Sequence, residues 1–380
     1  MSARQEKREQ AIAANGTHGG LLDAIVIGGS QAGLAMAWHL ARRGLRFVVL
    51  DAGPEIGHAW RSRWDSLTLF TPAQHDALPG MPFPGGPDTY PTKDPVADYL
   101  QDYAAAFSLP VRLNARVAHL SQTAEGFEIR TQDESYGARQ VVVATGPFQT
   151  PFIPPAAQRL DGSVTQLHSA GYRSPQALPP GPVLVVGGGN SGFQIAEELA
   201  SAGRRVDLSI ATKQPRLPQR LAGKDLFWWL TRLRLMRVST ESRLGRRMSS
   251  RDFIIGSSRR RLRAAGVRFR PGVADTQECT VRLADGTGLD VSTVVWATGY
   301  RPDYSWIDIP GVVQDGQVIH RRGVTGVSGL YFLGLTWQHT RGSALLGFVN
   351  DDAAYLAGHI TGTGRASQAA AARPASQRTV

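Results

Sequence analysis

Two glycine clusters stand where a phosphorylated ligand could be held. In the first, "GGSQAG" (28–33), Gly28 and Gly33 occupy the outer places of a G-x-G-x-x-G pattern and Ser30 takes the middle one. In the second, "GGGNSG" (187–192), Gly187, Gly189 and Gly192 fill all three places. The first glycine of such a pattern permits a tight turn, the second lets backbone approach a pyrophosphate, and the third lets the helix pack on the strand. The helix that follows offers unpaired N–H groups and the positive end of its dipole to phosphate. Serine is the smallest replacement that adds a donor, so a pyrophosphate still fits along Gly28, Gly29, Ser30, Gln31, Ala32 and Gly33. Its Cβ is expected to push the phosphate outward slightly or to demand a particular φ. Asp51 ends the next apolar run, "RFVVLD", close to the roughly 20-residue spacing at which a carboxylate meets ribose hydroxyls.

The second cluster, with Asn190 and Ser191 opening its helix, has no acid at the matching place. After "RVDLSI" come Ala211, Thr212 and Lys213, then Arg216 and Arg220. A 2′-phosphate would repel a carboxylate and favour a hydroxyl and cations, so this site is expected to prefer NADPH to NADH.

The elements that position these clusters are short apolar strands alternating with amphipathic helices. "DAIVIGG" precedes a helix expected over 32–43, and "PVLVVGGG" one expected over 191–202. "QVVVATG" and "TVVWATG" each give a strand that ends in Ala-Thr-Gly: Ala144, Thr145, Gly146 and Ala297, Thr298, Gly299. This alternation predicts an α/β fold with parallel sheets. Strand, glycine turn, helix, strand and Ala-Thr-Gly occur twice, which makes the pair of sites much stronger evidence than either alone.

Composition bounds the rest. The 380 residues are 42% hydrophobic and 19% charged, enough for two or three domains with a sizeable core. Cys279 is the only cysteine, which excludes a disulfide framework, a cysteine-rich metal site and a redox Cys-x-x-Cys pair, and points to the cytoplasm. The nine histidines show no metal-ligand spacing. No apolar run is long enough to span a membrane or to serve as a secretion signal. Much of the excess behind the net charge of +11 lies between Lys213 and Arg270; it reads first as a solvated face, with nucleic acid or an acidic membrane surface and a phosphorylated cofactor as the alternatives, and no specific nucleic-acid site is expected.

More particular stretches carry a family resemblance: "GHAWRSRWDSLTLFTP" (57–72), "LPGMPFP" (78–84), "YPTKDPVADYL" (90–100), "HSAGYR" (168–173), "VVGGGNSG" (185–192), "FWWL" (227–230), "WATGYRPD" (296–303) and "GLYFLGLTWQHTRGSALLGFVNDDAAYLAGHI" (329–360). Over roughly residues 22–361 the chain resembles the flavin-containing monooxygenase superfamily, especially compact bacterial members close to the plant YUCCA-type enzymes. The resemblance implies two Rossmann-like dinucleotide-binding domains, an FAD domain split by an inserted NADPH domain. The expected boundaries are a disordered arm over 1–20, FAD domain over 21–150 and 293–361, NADPH domain over 151–292, and a disordered tail over 362–380.

The same resemblance places Trp60 and Arg61 beside the flavin, Val117 at the adenine, and Gly334 with a helix start around Leu345 over the flavin ring end. It implies that reduced FAD takes up O2 as a C4a-(hydro)peroxyflavin and passes one oxygen atom to a small organic substrate. His168, Tyr172, Trp337 and Gln338 are the candidate catalytic residues, with Asp65 and Asn350 weaker ones. The family signature F-x-G-x-x-x-H-x-x-x-[YW] is incomplete, since Gly162 and Val164 replace its first two members. His168 and Tyr172 either link the domains near the nicotinamide or form a hydrogen-bonded structural corner. "DLFWWLTRLRLM" (225–236) reads as a core helix of the NADPH domain, with a substrate entrance or membrane contact as the alternative. The rival functions are a reductase or oxidase without oxygenation and a nucleotide-binding accessory protein of a cation-efflux system. A homodimer is compatible with the sequence.

Overall fold

The structure, a computed structural model, describes residues 20–212, 214–250 and 253–371. The expectations for residues 1–19, Lys213 and 372–380 lie outside the described residues. Strands Ala24–Ile27, Phe47–Leu50, Val183–Val186 and Thr293–Trp296 are buried at every position. Continuous burial is what a parallel strand covered by helices on both faces requires, and it explains why these runs are apolar throughout rather than alternating.

The strands form two main sheets. The first runs, in spatial order, His320–Arg321, Val324–Thr325, Leu330–Phe332, Val141–Val143, Ala24–Ile27, Phe47–Leu50, Val111–Arg112. The second runs Arg268–Pro271, Val206–Ile210, Val183–Val186, Thr293–Trp296, Thr165–His168, with every pair parallel. In each, the strand entering the glycine turn lies between the strand ending in Ala-Thr-Gly and the strand after the first helix. The repeat legible in the sequence is therefore a repeat of three-dimensional arrangement.

Three expectations shift. Thr293–Trp296, which the sequence reading gave to the returning part of the first domain, pairs inside the second sheet with Val183–Val186. The helices after the glycine turns begin one residue early, at Gln31–Arg42 and Asn190–Ser201. The last helix, Asn350–Ala371, continues past residue 362 through an alanine-rich run of high helix propensity, beyond the point where a tail was expected.

The chain leaves the first sheet and returns to it through two segments that pair with each other. Thr150–Pro151 and Tyr300–Arg301 form an antiparallel ribbon, extended by the Phe152 N–H donating to Gly299 O at 2.9 Å. Gln149 ties the ribbon to both ends: its Nε2 donates to Thr145 Oγ1 and to Gly146 O, each at 2.9 Å, and its Oε1 accepts from Asp303 N–H at 2.6 Å.

The reading of "DLFWWLTRLRLM" as a core helix is right for one face only. Asp225 caps the helix Leu226–Arg232, accepting from Phe227 N–H at 2.6 Å. Leu226 and Phe227 are buried, while Leu233 is 60% exposed.

Candidate functional site

The first glycine turn is fixed by the protein's own sterics. Gly28 has φ +109°, and a Cβ there would lie 2.6 Å from Ala144 O. A Cβ on Gly33 would collide with Gly28 O. The outer glycines are thus required by close approach of the Ala-Thr-Gly strand and of the helix to the turn. Asp51 locks the turn from the next strand: its Oδ2 accepts from Gly29 N–H at 2.5 Å and its Oδ1 from Gly53 N–H at 2.7 Å. Each oxygen keeps a further lone pair for a hydroxyl.

Ser30 behaves differently from expectation. It begins the helix at φ −88°, ordinary extended backbone, so serine demands nothing special there. Its Oγ donates to Gln31 Oε1 at 2.6 Å, and the Trp60 indole N–H donates to the same oxygen at 3.2 Å. Trp60 is thereby held against the turn. Gly334 also reaches it, since a Cβ on Gly334 would lie 2.9 Å from Ala32 Cβ. Val117 follows Ala115, whose N–H donates to Asp51 O at 2.8 Å, and lies in an extended link rather than in a strand.

The second turn repeats the first. Gly187 has φ +138°, with Ala297 O where its Cβ would stand, and a Cβ on Gly192 would collide with Gly187 O. The middle residue, Gly189, is the informative one. Its φ is −86°, and a Cβ there would meet nothing within 4 Å. The protein itself has no need of glycine at this place; the open space suits a close-lying pyrophosphate. Neither helix has a side chain capping its first turn, which leaves those N–H groups for a ligand. Asn190 turns away from the opening, its Oδ1 accepting from Ile255 N–H at 3.0 Å. Ser191 is half-buried and Thr212 is exposed at the edge of the turn.

Beyond Thr212, three arginines converge that are distant in sequence. Arg216 lies 5.9 Å from the Phe193 ring; Arg259 and Arg263 lie 4.8 and 5.4 Å from the Phe269 ring; the two rings are 6.0 Å apart. Among the described residues none of the three forms an ion pair, and Arg259 Nε is buried without a hydrogen-bond partner. Burial and the charges of Arg216 and Arg263 hold the Arg259 guanidinium below its ordinary pKa. Nearby Arg268 and Arg270 are both paired with the single carboxylate of buried Asp207. Sequence reasoning named Arg216 and missed Arg259 and Arg263, because the helix Arg259–Ala264 shows only as part of a basic run.

Between the turns, His168 Nδ1 accepts from Ala170 N–H at 3.1 Å and Nε2 donates to Gly299 O at 2.9 Å. That pairing fixes the neutral Nε2–H tautomer. Burial lowers its pKa against the opposing effect of the Gly299 bond, and the Arg63 charge lowers it further. The Tyr300 ring meets His168 edge-on at 4.9 Å, and Arg63 donates to the Tyr300 hydroxyl. Arg63 and Tyr300 thus join the first domain's loop to the end of the second Ala-Thr-Gly strand, a junction that the sequence did not flag.

Several other candidates have partners within the protein. Tyr172 is sealed in the second core at 0% exposure, where burial first and Glu198 second raise its pKa. Its hydroxyl donates to Glu198 Oε2 at 2.8 Å, so it is a structural corner and does not join His168. Arg61 is held by Asp98 at 2.9 Å, Glu55 at 3.3 Å and Asp94 at 3.9 Å. Around Leu345 there is no helix N-terminus aimed at a ligand. Residues Arg341–Ala344 make a short 3-10 turn whose end is closed by Thr340 and Ser343. Gln338 is buried beneath the chain, its Oε1 accepting from Leu335 N–H at 3.3 Å. Trp337 takes the left-handed region at φ +56°, and its buried indole N–H has no partner. Asp65 pairs with Lys93 at 3.2 Å and Asn350 with His39 Nε2 at 2.9 Å, so both of these weaker candidates are structurally engaged.

Where the two halves meet, Phe70, His75, Phe227 and Phe348 form an aromatic cluster, with Phe70 stacked on Phe227 at 5.9 Å and His75 on Phe348 at 5.9 Å. A cavity of about 280 Å³, lined by Met236, Arg237, His339, Thr340, Phe348 and Asp352, adjoins it. Asp76, beside His75, is fully buried; Thr71 donates to its Oδ1 at 2.6 Å, and burial pushes its pKa up to about 7.

Comparisons with known proteins agree with this geometry. The profile of the pyridine nucleotide-disulphide oxidoreductase family matches residues 25–232. The chain is 47% identical over 343 residues to an uncharacterized oxidoreductase, CzcO-like, of Geobacillus kaustophilus, covering 90% of this chain and 98% of that one. It is 28% identical over 368 residues to the probable indole-3-pyruvate monooxygenase YUCCA9 of Arabidopsis thaliana, covering 84% and 86%. It superposes on a flavin-containing monooxygenase from Stenotrophomonas maltophilia with a TM-score of 0.75 at 30% identity, covering 90% and 99%.

Proposed function

This chain belongs to the pyridine nucleotide-disulphide oxidoreductase family and to the flavin-containing monooxygenase superfamily, and from that premise we propose that it is an FAD-dependent monooxygenase. It takes hydride from NADPH and places one atom of O2 in a small organic substrate, the other atom leaving as water. The observation that carries this reading is the pair of glycine turns, built alike, each opening an uncapped helix, with open space beside Gly189 where a pyrophosphate would lie. Dithiol chemistry is removed by the single cysteine, Cys279, which is exposed.

Bound FAD supplies the hydride-accepting and oxygen-activating chemistry; the chain's own residues hold and enclose it. Gly28–Gly33 would take its pyrophosphate on the helix N-terminus and Asp51 its ribose hydroxyls. Gly187–Gly192 would hold the NADPH pyrophosphate, and Arg216, Arg259 and Arg263 its 2′-phosphate, which gives these unpaired cations their counter-charge. Neutral His168 holds the second Ala-Thr-Gly strand end at Gly299, so that the connecting ribbon keeps the two nucleotides in register. Trp337 keeps an indole N–H that the protein does not use, a donor free for a bound group. The aromatic cluster of Phe70, Phe227 and Phe348 would exclude water from the reacting atoms.

The test is anaerobic reduction of the purified holoprotein by NADPH or NADH, followed by labelled O2 with a panel of amines, thioethers and 2-oxo acids. Oxygenation is expected as one labelled atom in the product with a matching fall in hydrogen peroxide. Peroxide equal to NADPH consumed, whatever is offered, would overturn the reading in favour of an oxidase or reductase. Binding of FAD and NADPH without NADPH consumption would leave a nucleotide-binding accessory role, and failure to bind FAD would overturn every one of these readings.

A further inference from the structure

The helix Leu226–Arg232 faces two ways. Its inner side, Leu226, Phe227 and Leu230, closes on the aromatic cluster. Its outer side continues into solvent. The Trp229 indole N–H donates to Leu221 O at 2.9 Å, and Leu233 follows Trp229 by one turn, its N–H donating to Trp229 O. Leu221, Trp229 and Leu233 therefore lie together, with the leucines 55% and 60% exposed. Trp228 meets Trp229 edge-on at 4.7 Å, and Lys224 stands 5.7 Å from the Trp228 ring.

The charge around this tip is of one sign. Residues 220–247 carry eight cations, Arg220, Lys224, Arg232, Arg234, Arg237, Arg243, Arg246 and Arg247, against Asp225 and Glu241. Asp225 is buried under the helix and Glu241 pairs with Arg321, so neither offsets the outer cations. Exposed leucines beside half-buried tryptophans, ringed by arginines, are the composition of an interfacial element: the leucines and aliphatic stems enter the headgroup boundary while the cations meet anionic phosphates.

We propose that this tip, residues 220–237, rests on the surface of an anionic phospholipid bilayer. The protein does not cross it, since among the described residues no helix is long and apolar enough to do so. A membrane fits better than an acidic protein face because exposed leucines, Leu221 and Leu233, stand among the cations, and acidic groups of a partner would leave them without apolar cover. Its inner face, at the aromatic cluster, would place the interior next to the lipid phase. The inference stands independently of the reaction catalysed.

The experiment is flotation of the purified holoprotein with vesicles of phosphatidylcholine alone and of phosphatidylcholine with about 30 mol% phosphatidylglycerol. The wild type is expected to float with the anionic vesicles at low salt and to stay behind with the neutral ones. The double variant Leu221→Asp, Leu233→Asp should lose partitioning by about tenfold or more, with unchanged flavin content and NADPH consumption in solution. The variant Arg232→Glu, Arg234→Glu should lose on the order of fivefold per removed cation. A wild type that ignores anionic vesicles at low salt overturns the proposal. So does a leucine variant that floats like the wild type, because attraction would then be charge alone.

Discussion

Ser30 and Gly189 occupy the same place in the two turns and share one backbone conformation, φ −88° and ψ −166° against φ −86° and ψ −179°. The middle position of the fingerprint is therefore not a left-handed position, and glycine is kept there for what lies outside the chain. Gly189→Ser is expected to fold as the wild type does, because its Cβ meets nothing within 4 Å. It should raise the Michaelis constant for NADPH while leaving flavin content and melting temperature unchanged. Gly192→Ala, whose Cβ would strike Gly187 O, should instead lower stability by about 1–3 kcal/mol. Equal melting temperatures for the two variants would contradict this division of roles.

The three unpaired arginines predict cofactor choice. Arg259→Ala and Arg216→Ala should each raise the NADPH Michaelis constant by about 10- to 100-fold, the size of a lost charge-assisted hydrogen bond. The constant for NADH should stay nearly level. Equal losses with both nucleotides would assign these side chains to packing on Phe193 and Phe269 instead.

Tyr172 and His168 make opposite predictions although only four residues separate them. Tyr172→Phe removes a single hydrogen bond to Glu198, which is partly exposed and can turn to water. A loss of about 1 kcal/mol in stability with unchanged turnover is expected. His168→Ala strands Gly299 O beside the ribbon and should lower turnover through the geometry of the two nucleotides. Rescue by His168→Gln, which can still donate to that oxygen, would mark the role as positioning rather than proton transfer.

Stability should depend on pH with two opposed contributions. His39, His75, His168, His320 and His339 are all held below the ordinary value of 6.5, burial being the largest cause. Below 6.5 the unfolded chain binds more protons than the folded one, so stability present above that pH is lost as pH falls. Asp76, raised from 3.8 to about 7, acts in reverse: its contribution is full below 3.8 and is lost as pH rises through about 7. Asp76→Asn keeps an acceptor for Thr71 and removes that loss. Its stability relative to the wild type's should therefore grow by about 2–3 kcal/mol between pH ~5 and pH ~8, read as a widening gap in melting temperature. A constant difference across that range would mean that Asp76 does not titrate there.

What the sequence determined by itself is local and steric. A glycine five residues after another, an apolar strand before them and Ala-Thr-Gly farther on can be read because the collisions they avoid lie within one turn or between neighbouring strands. Gly28, Gly33, Asp51, Gly187 and Gly192 were legible for that reason, as was the doubled α/β arrangement. Tertiary structure decided everything that depends on where the chain goes between turns. Tyr172 falls into the second core, Arg61 into a nest of carboxylates, and Thr340 with Ser343 closes the turn that was expected to face the flavin. Arg259 and Arg263 reach Arg216 only because their helix packs beside Phe193 and Phe269. Short spacings encode which backbone shapes are allowed, whereas the meeting of distant side chains is set by packing among many elements at once, which no single stretch of sequence contains.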